Sequence, residues 1–228
     1  MSRRNTPGMP SLFESPYLPF ELSASRRTSG RARPTSDGPS LHRVRRGVYL
    51  PADHWAIMDA DERYRAFIHA TLACSPTSPT LSHYSAAALR RLPVVGSWPE
   101  TVHTVVADRS GGRSSGLYTR HRAAHAPDVE IVDGVRCTTL ERTIVDIART
   151  GSRVSALAMA DHAVRVGSTT PERLRDEDDR LGPGRGSHQS RTLLPLVSPD
   201  SANGGETFVR LLLHDAGFAA PVLQQRVD

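Results

Sequence analysis

The segment VEIVDGVRCTTLERTIVDIARTG, residues 129–151, gives the clearest indication of the fold. Two β-prone runs, 129–132 and 135–138, flank Asp133-Gly134, and both turn residues tolerate the positive φ angles of a two-residue hairpin. Thr138 and Glu141 then fit a capping box, an apolar stripe follows, and Gly151 is a natural helix terminator. Hairpin and helix in direct succession predict a protein of the α/β (α+β) class.

Further helices and strands are predicted on both sides of this segment. Asp59 is a suitable N-cap for a helix that continues to Ala73, and Ser82 is one for a shorter helix. The remaining predicted elements are strands over 101–107 and 117–122 around a Gly/Ser-rich loop (110–116), helices over 153–166, from 170 onward and over 205–215, and a strand from Val222.

Residues 41–50, Leu-His-Arg-Val-Arg-Arg-Gly-Val-Tyr-Leu, form a second β-prone stretch, in which three arginines lie beside a glycine. The β-branched and aromatic residues supply strand propensity, and guanidinium groups hydrogen-bond phosphate oxygens without reading base sequence. This pattern is typical of a wing that contacts DNA. The DNA-binding residues that it predicts are Arg43, Arg45, Arg46 and Tyr49.

The positive charge of the chain is concentrated at its N-terminal end. The formal net charge is +5, yet residues 1–50 contain nine arginines and only three acidic residues, so the remainder is close to neutral. Such an asymmetry indicates a segment that meets a polyanion, and we expect the DNA phosphate backbone as a partner. For residues 1–40, rich in Pro, Ser and Gly, a largely disordered, solubilising basic leader explains the same composition equally well.

Side chains that could bind a metal are present, but their spacing favours structural roles. Cys74 and Cys137 lie far apart without a CxxC pattern, as expected of reduced thiols. His121 and His125 are four residues apart in a β-rich context, so we predict surface histidines. The acidic run 176–179 lacks the glycine and terminal glutamate of a calcium loop and is predicted to be solvated.

No pattern in the chain indicates a catalytic residue, a metal or a cofactor. Ser85 is not part of a GxSxG elbow, its neighbour His83 is assigned a packing or capping role, and no GxxxxGK[ST] loop is present. No apolar run approaches the length of a membrane span, so we expect no membrane partner and a cytoplasmic protein.

Glu206 opens the amphipathic pattern of the last predicted helix, after Gly204-Gly205. A glutamate there can be a metal-shell carboxylate of a restriction-type nuclease, or an acid favoured in the first turn by the helix dipole. The Asp and Glu-x-Lys motifs that such a nuclease needs are not in the chain. We therefore treat Glu206 as a candidate nuclease-remnant residue.

Three blocks, residues 41–49, 81–93 and 132–148, resemble the AbiEi type IV antitoxin-like family of actinobacteria. The resemblance implies an N-terminal winged helix-turn-helix that binds DNA and represses its own operon, and an α/β domain that counteracts a nucleotidyltransferase toxin. Residues 205–228 look like the start of a very-short-patch-repair endonuclease-like domain. Gly30, Pro34, Gly38 and Pro39 would break a recognition helix, so the winged module is expected to be degenerate.

The resemblance and the residue patterns together divide the chain. The predicted parts are a basic leader (1–40), a degenerate winged-helix module with a connecting helix (41–75), an antitoxin-like α/β middle domain (76–181), a linker (182–204) and a truncated, incomplete nuclease-like fragment (205–228). The predicted function is that of a non-enzymatic DNA-binding regulator and antitoxin. Two alternatives stay open: a remnant of a very-short-patch-repair-like endonuclease, and a protein-interaction module that does not bind DNA.

Overall fold

The computed structural model describes residues 23–24, 40–107, 116–123, 126–219, 221 and 223. They belong to two compact units, Met1–Ser78 and Pro79–Asp228, and each contains one β-sheet. The chain therefore has the mixed α+β fold predicted from its sequence. The basic leader, the loop over 110–116, His125 and the strand from Val222 lie wholly or largely outside the described residues.

The first unit is a three-stranded antiparallel sheet packed against two helices. Its strands are β1 (Ser23–Ala24), β2 (Leu41–Arg45) and β3 (Val48–Pro51) in the order β1-β3-β2, followed by α1 (Ala52–Ile57) and α2 (Ala60–Ala73). The predicted N-cap of α2 is confirmed: Asp59 and Glu62 form a complete capping box. Alternate residues of β3, Val48 and Leu50, are fully buried and form a small core with residues of α2.

The sheet of the second unit has five strands of mixed direction. They are β4 (Thr80–Leu81), β5 (Val102–Ala107), β6 (Tyr118–Ala123), β7 (Val129–Val132) and β8 (Val135–Thr138), in the order β6-β5-β4-β8-β7. The β5/β6 and β4/β8 pairs are parallel, and the other two are antiparallel. The predicted β7–β8 hairpin is confirmed, with φ of 49° at Asp133 and 74° at Gly134.

Six helices and one 3-10 turn complete the described part of the second unit. They are α3 (His83–Leu89), α4 (Leu140–Thr150), α5 (Arg153–Arg165), α6 (Pro171–Leu181), α7 (Ser187–Leu193), the 3-10 turn Leu194–Leu196 and α8 (Gly204–Asp215). Ile144, Ile147, Leu157, Met159 and Leu174 are fully buried where these helices meet. In the described parts of the chain, no helix has both the length and the apolarity that crossing a bilayer requires.

The helix that follows the β7–β8 hairpin begins one residue later than the capping-box pattern predicts. Thr139, not Thr138, is the N-cap of α4, and its side chain accepts the backbone N–H of Arg142. Thr138 is the last residue of β8, and its hydroxyl lies 2.7 Å from that of Thr143. The Glu141 carboxylate accepts the Thr169 hydroxyl instead of closing a capping box.

The segment predicted as a linker, 182–204, contains regular structure. Its Gly/Pro-rich start forms turns, but α7 and the 3-10 turn follow and place Leu193 and Leu194 in the main core. Gly186, at the start of α7, lies so close to α4 that a Cβ atom there would be 1.9 Å from the Arg149 carbonyl oxygen. Composition suggested a linker because the glycines that permit this contact are also typical of flexible segments.

The C-terminal helix is integrated into the second unit, although the sequence suggested that it begins a new one. Helix α8 packs on α5, where the buried carboxylate of Asp161 accepts hydrogen bonds from the Thr207 hydroxyl and Arg210 Nη1, both at 2.8 Å. These contacts attach residues 204–215 to the core of the same unit.

Candidate functional site

The four predicted DNA-contacting residues differ in their surroundings. Arg43 on β2 and Arg46 in the β2–β3 turn are exposed, and neither has a hydrogen-bond or ion-pair partner among the described residues. Tyr49 pairs directly with Arg43 across the two strands, and it is half-buried. At this hairpin, two guanidinium groups are therefore exposed to solvent beside a half-buried phenol ring.

Arg45 has a structural contact that the sequence pattern did not reveal. Its Nη1 donates a hydrogen bond of 3.0 Å to the backbone carbonyl of Thr71, in the last turn of α2. A cation near that end of a helix is favoured by the unpaired carbonyl groups there. Arg45 therefore joins β2 to α2, and a β-bulge between Arg43 and Arg45 turns the two side chains differently.

Glu206 is engaged at the start of α8. Its carboxylate accepts the backbone N–H of Ala202 at 2.8 Å, while the side chain of the N-cap Asn203 accepts the N–H groups of Gly205 and Glu206. This is the arrangement of a helix start, in which side-chain oxygens satisfy unpaired N–H groups. The contacts of Glu206 therefore agree with a first-turn acid.

The second unit contains a cavity of about 590 Å³ whose lining is dominated by arginine. Strand β6 lies at the edge of the sheet and contributes residues 120–123, α4 contributes its polar face, and the end of α6 with the following turn closes one side. One carboxylate, Asp146, and two imidazoles lie among the cations. The lining arginines are Arg120, Arg122, Arg142, Arg149, Arg180 and Arg185.

Three histidines meet beside this cavity. The rings of His83 and His121 stack with centroids 3.4 Å apart, and His121 Nε2 lies 3.0 Å from His103 Nδ1. Burial lowers the pKa of His103 and His121 to about 4, and burial with the neighbouring imidazoles lowers the pKa of His83 well below 6.5. All three rings are neutral at pH 7.

The histidine cluster corrects two sequence predictions. His121 is half-buried instead of exposed, because the parallel pairing of β5 and β6 places it opposite Val105 and beside helix α3. His83 packs as expected, but with φ of 48°, in the left-handed region that non-glycine residues rarely adopt. Such backbone conformations persist only where the surroundings hold them, and they are concentrated at functional sites.

Asp146 is a buried carboxylate with one unsatisfied oxygen. Its Oδ1 accepts the Arg142 Nε–H at 2.9 Å, whereas its Oδ2 has no hydrogen bond among the described residues and lies 3.8 Å from His83 Nδ1. Burial raises the pKa of Asp146 to about 6, although Arg142 opposes that shift. Such an oxygen is costly to leave without a donor in a protein interior.

The grouping of Ser82, His83 and Asp146 does not have the geometry of a hydrolytic triad. The Ser82 hydroxyl lies 3.1 Å from His83 Nδ1, and Asp146 approaches the same ring nitrogen. A Ser-His-Asp relay needs the hydroxyl at one ring nitrogen and the carboxylate at the other. Among the described residues, moreover, no three His, Cys, Asp or Glu side chains are placed to hold a metal ion.

The acidic run 176–179 is partly buried, contrary to the prediction of a solvated segment. The Asp178 carboxylate accepts hydrogen bonds from Arg149 Nε at 2.6 Å and from the Ser190 hydroxyl at 2.8 Å. Glu177 binds Arg180 through both carboxylate oxygens, at 2.7 and 2.8 Å. The run lies on α6, so the residues that face α4 become partners of the arginines at the edge of the cavity.

The cavity residues come from five separate parts of the chain, and no local spacing connects them. One signal was visible in the sequence: Arg120 and Arg122 alternate in a β-prone run, so they share one strand face, yet they are charged. Two guanidinium groups on one strand face need either solvent or an anion beside them. That signal pointed to β6 but gave no information on Asp146 or His83.

Comparison with known proteins identifies the family. No curated protein matches the chain. The family model of the AbiEi antitoxin C-terminal domain matches residues 66–196, which is more than half of the chain and includes every residue that lines the arginine-rich cavity. The resemblance found in the sequence is thereby confirmed at the level of the family. The chain belongs to the AbiEi antitoxin family.

Proposed function

We propose that this protein is the antitoxin of a type IV toxin–antitoxin system and that it acts without catalysing a reaction. The observation that carries the proposal is the match of the AbiEi antitoxin C-terminal domain to residues 66–196, a segment that contains the whole sheet of the second unit and its helices α3 to α7. We propose a nucleotidyltransferase toxin as its counterpart, and the cytoplasm as its location, because both the toxin and the operator would be there.

Co-expression tests the antitoxin role. A nucleotidyltransferase-like toxin gene, taken from the same operon where one is present there, is induced in a heterologous host, with and without the full chain, and colony formation is counted. We expect the chain to restore growth. A variant with a disrupted core of the second unit, Ile144→Asp, controls for mere expression and should not restore growth, since Ile144 is fully buried. Equal growth inhibition with and without the wild-type chain would contradict the role.

We further propose that the first unit binds DNA through Arg43 and Arg46, with Tyr49 packing beside them. The support is that both guanidinium groups are exposed and have no carboxylate partner among the described residues. Arg45 serves a different purpose, since its bond to the Thr71 carbonyl holds the strand that presents them. Contacts of this kind go to phosphates, so affinity for duplex DNA and salt dependence are expected without strong base specificity.

A salt titration of DNA binding tests this proposal. Removing two phosphate contacts in Arg43→Ala/Arg46→Ala should reduce the slope of log K against log salt by about 1.8, at about 0.9 per contact. The matched control is Arg136→Ala/Arg191→Ala, which removes two exposed arginines of the second unit and the same net charge. If both double variants change the slope equally, the hairpin has no special role, and general charge explains the binding.

The two tests separate two functions of one chain. Arg43→Ala/Arg46→Ala should lose affinity for the promoter region of its own operon and still restore growth in the co-expression assay. If that variant binds DNA as well as the wild type does while the chain still restores growth, the protein is an antitoxin whose first unit is not a DNA-binding module.

A further inference from the structure

The arginine-lined cavity of the second unit has the size of a small-molecule site. Its volume of about 590 Å³ lies within the range of roughly 300–1,000 Å³ that is typical of ligand clefts. The polar groups that line it converge from β6, α4 and the turn after α6. It is therefore large enough for one organic molecule of moderate size.

Four of the six arginines that line this cavity fall into two groups. Arg149 and Arg180 are neutralised by Asp178 and Glu177, as described above. Arg122 and Arg185, by contrast, are exposed and have no acidic partner among the described residues. The cavity therefore has positive charge that the second unit does not balance within its described residues.

Arg142 adds a buried donor to the same space. Its side chain is only 9% exposed, and its Nε is bound to Asp146. Its Nη1 and Nη2 have no hydrogen-bond partner in the described parts of the chain. A buried guanidinium with free donors is favourable only if an anion or water completes its hydrogen bonds.

One acceptor faces these donors. Asp146 Oδ2 is buried and lacks a hydrogen bond among the described residues, and His83 Nδ1 is 3.8 Å away. Inorganic phosphate carries P–OH donors at neutral pH, but it fills only a small part of a cavity of about 590 Å³. Bound to the exposed arginines, it is therefore not expected to reach this oxygen. A ligand that carries both an anionic group and an N–H or O–H donor would satisfy the arginines and Asp146 together.

We propose that this cavity binds a small organic phosphate, with the phosphate on Arg122, Arg142 and Arg185 and a hydrogen-bond donor of the organic part on Asp146. Guanidinium groups match phosphate oxygens in paired, charge-assisted hydrogen bonds, which makes phosphate the preferred anion of a site with several arginines. Mononucleotides and sugar phosphates share this chemistry. The site is separate from the β2–β3 hairpin, and the inference does not depend on the antitoxin role.

Isothermal titration calorimetry of the full chain tests the proposal with four probes: inorganic phosphate, ribose 5-phosphate, a panel of mononucleotides and a short DNA duplex. We expect an organic phosphate to bind at least about tenfold more tightly than inorganic phosphate, because only the former reaches Asp146. The probe that binds best then identifies the source as a sugar phosphate or a nucleotide.

Three variants assign that binding to the cavity. Arg122→Ala and Arg185→Ala change exposed residues, so we expect both variants to fold. Each should reduce the affinity for the organic phosphate by about tenfold. Asp146→Asn should weaken the binding of the organic phosphate but not that of inorganic phosphate. The amide oxygen would keep the hydrogen bond from Arg142, and the amide NH₂ group would stand where the ligand needs an acceptor. Arg136→Ala, an exposed arginine outside the cavity, is the matched control and should have no effect.

Several results would overturn the proposal. One is the absence of binding by every organic phosphate, and another is equal affinity for inorganic and organic phosphate. A third is binding that the cavity variants leave unchanged. Binding of the duplex alone, lost in Arg122→Ala and Arg185→Ala, would assign the cavity to nucleic acid and not to a small molecule. Circular dichroism of Asp146→Asn distinguishes a lost contact from a lost fold.

Discussion

The arginines of the β2–β3 hairpin and those of the cavity differ in how far their charge is matched by acids. In the hairpin, Arg43 and Arg46 are exposed and have no carboxylate partner among the described residues. In the second unit, Arg149 forms a buried ion pair with Asp178, and Arg142 forms one with Asp146. The buried arginines of the second unit are thus required for folding, whereas the hairpin arginines, like the exposed arginines of the cavity, are available for binding.

The largest expected effect comes from breaking the buried pair. Asp178→Ala leaves the Arg149 guanidinium, 9% exposed, without its carboxylate, and should lower the free energy of unfolding by about 3–5 kcal/mol. Urea denaturation followed by circular dichroism measures the change. The double variant Arg149→Met/Asp178→Leu should recover much of the loss. A loss below about 1 kcal/mol in Asp178→Ala would mean that water reaches Arg149. The arginines of the hairpin and of the second unit would then differ less in their contribution to stability than their burial suggests.

The second test concerns the backbone that frames the cavity. Gly186→Ala places a Cβ atom 1.9 Å from the Arg149 carbonyl oxygen at a residue with φ of 77°. Displacement of α7 and the left-handed backbone together should cost at least about 2 kcal/mol. Gly184→Ala is the matched control in the same turn, since a Cβ there meets nothing within 4 Å. Equal melting temperatures for the two variants would show that α7 can shift freely.

The dependence of folding stability on pH compares the effects of the buried histidines with the effect of Asp146. The folded-state pKa of His103 and of His121 is about 4, below the ordinary 6.5, so their contribution to stability is complete above pH 6.5 and is lost as the pH falls towards 4. Asp146 acts in the opposite sense: with its pKa raised to about 6, it adds stability as the pH falls from 6 towards 3.8.

We expect the histidines to determine the sign of the stability change between pH 7 and 5, because the lowered pKa values of three imidazoles oppose the raised pKa of one carboxyl group. Partial solvent access screens the effect, so the net loss should be on the order of 2 kcal/mol. Thermal unfolding at several pH values measures it. His121→Gln should flatten the profile and Asp146→Asn should steepen it. A profile that is unchanged in both variants would exclude the cluster as the source of the pH dependence.

The smallest expected effect separates the arginines within the hairpin. Arg45→Ala removes the hydrogen bond to the Thr71 carbonyl and should cost about 1 kcal/mol. Arg43→Ala and Arg46→Ala should each stay within about 0.5 kcal/mol of the wild type, because the exposed side chains have no hydrogen-bond or ion-pair partner among the described residues. Equal costs for all three changes would remove the distinction between anchoring and available arginines.

Much of the second unit's local structure could be predicted from the sequence, as could a cap in the first. The Asp133-Gly134 turn, the Asp59 cap and the Gly151 terminator each depend on a few neighbouring residues, and the structure contains all three. The start of α4 was misplaced by one residue, since Thr138 and Thr139 offer the same hydroxyl and only the end of β8 decides between them. Local rules choose element types more reliably than they choose between equivalent neighbours.

The candidate sites were predictable only in part. The hairpin arginines are adjacent in sequence and could be found there, but the fact that Arg45 reaches the Thr71 carbonyl depends on how β2 packs against α2. The cavity was not predicted, because His83, His121, Asp146 and Arg185 lie far apart in the chain. The composition around Gly186 predicts a linker for the same reason, since the contact of this glycine with α4 is not visible in the sequence.

The amino-acid sequence suffices to predict the class of fold and the positions of most helices and strands, because turns, helix caps and the periodicity of apolar residues depend on near neighbours. The family and the concentration of arginine near the N-terminus can also be read from it. Which charges are matched depends on the tertiary structure, because a carboxylate neutralises a guanidinium within a few ångströms whatever their separation along the chain. That matching separates the arginines that stabilise the fold from those that remain available for a ligand.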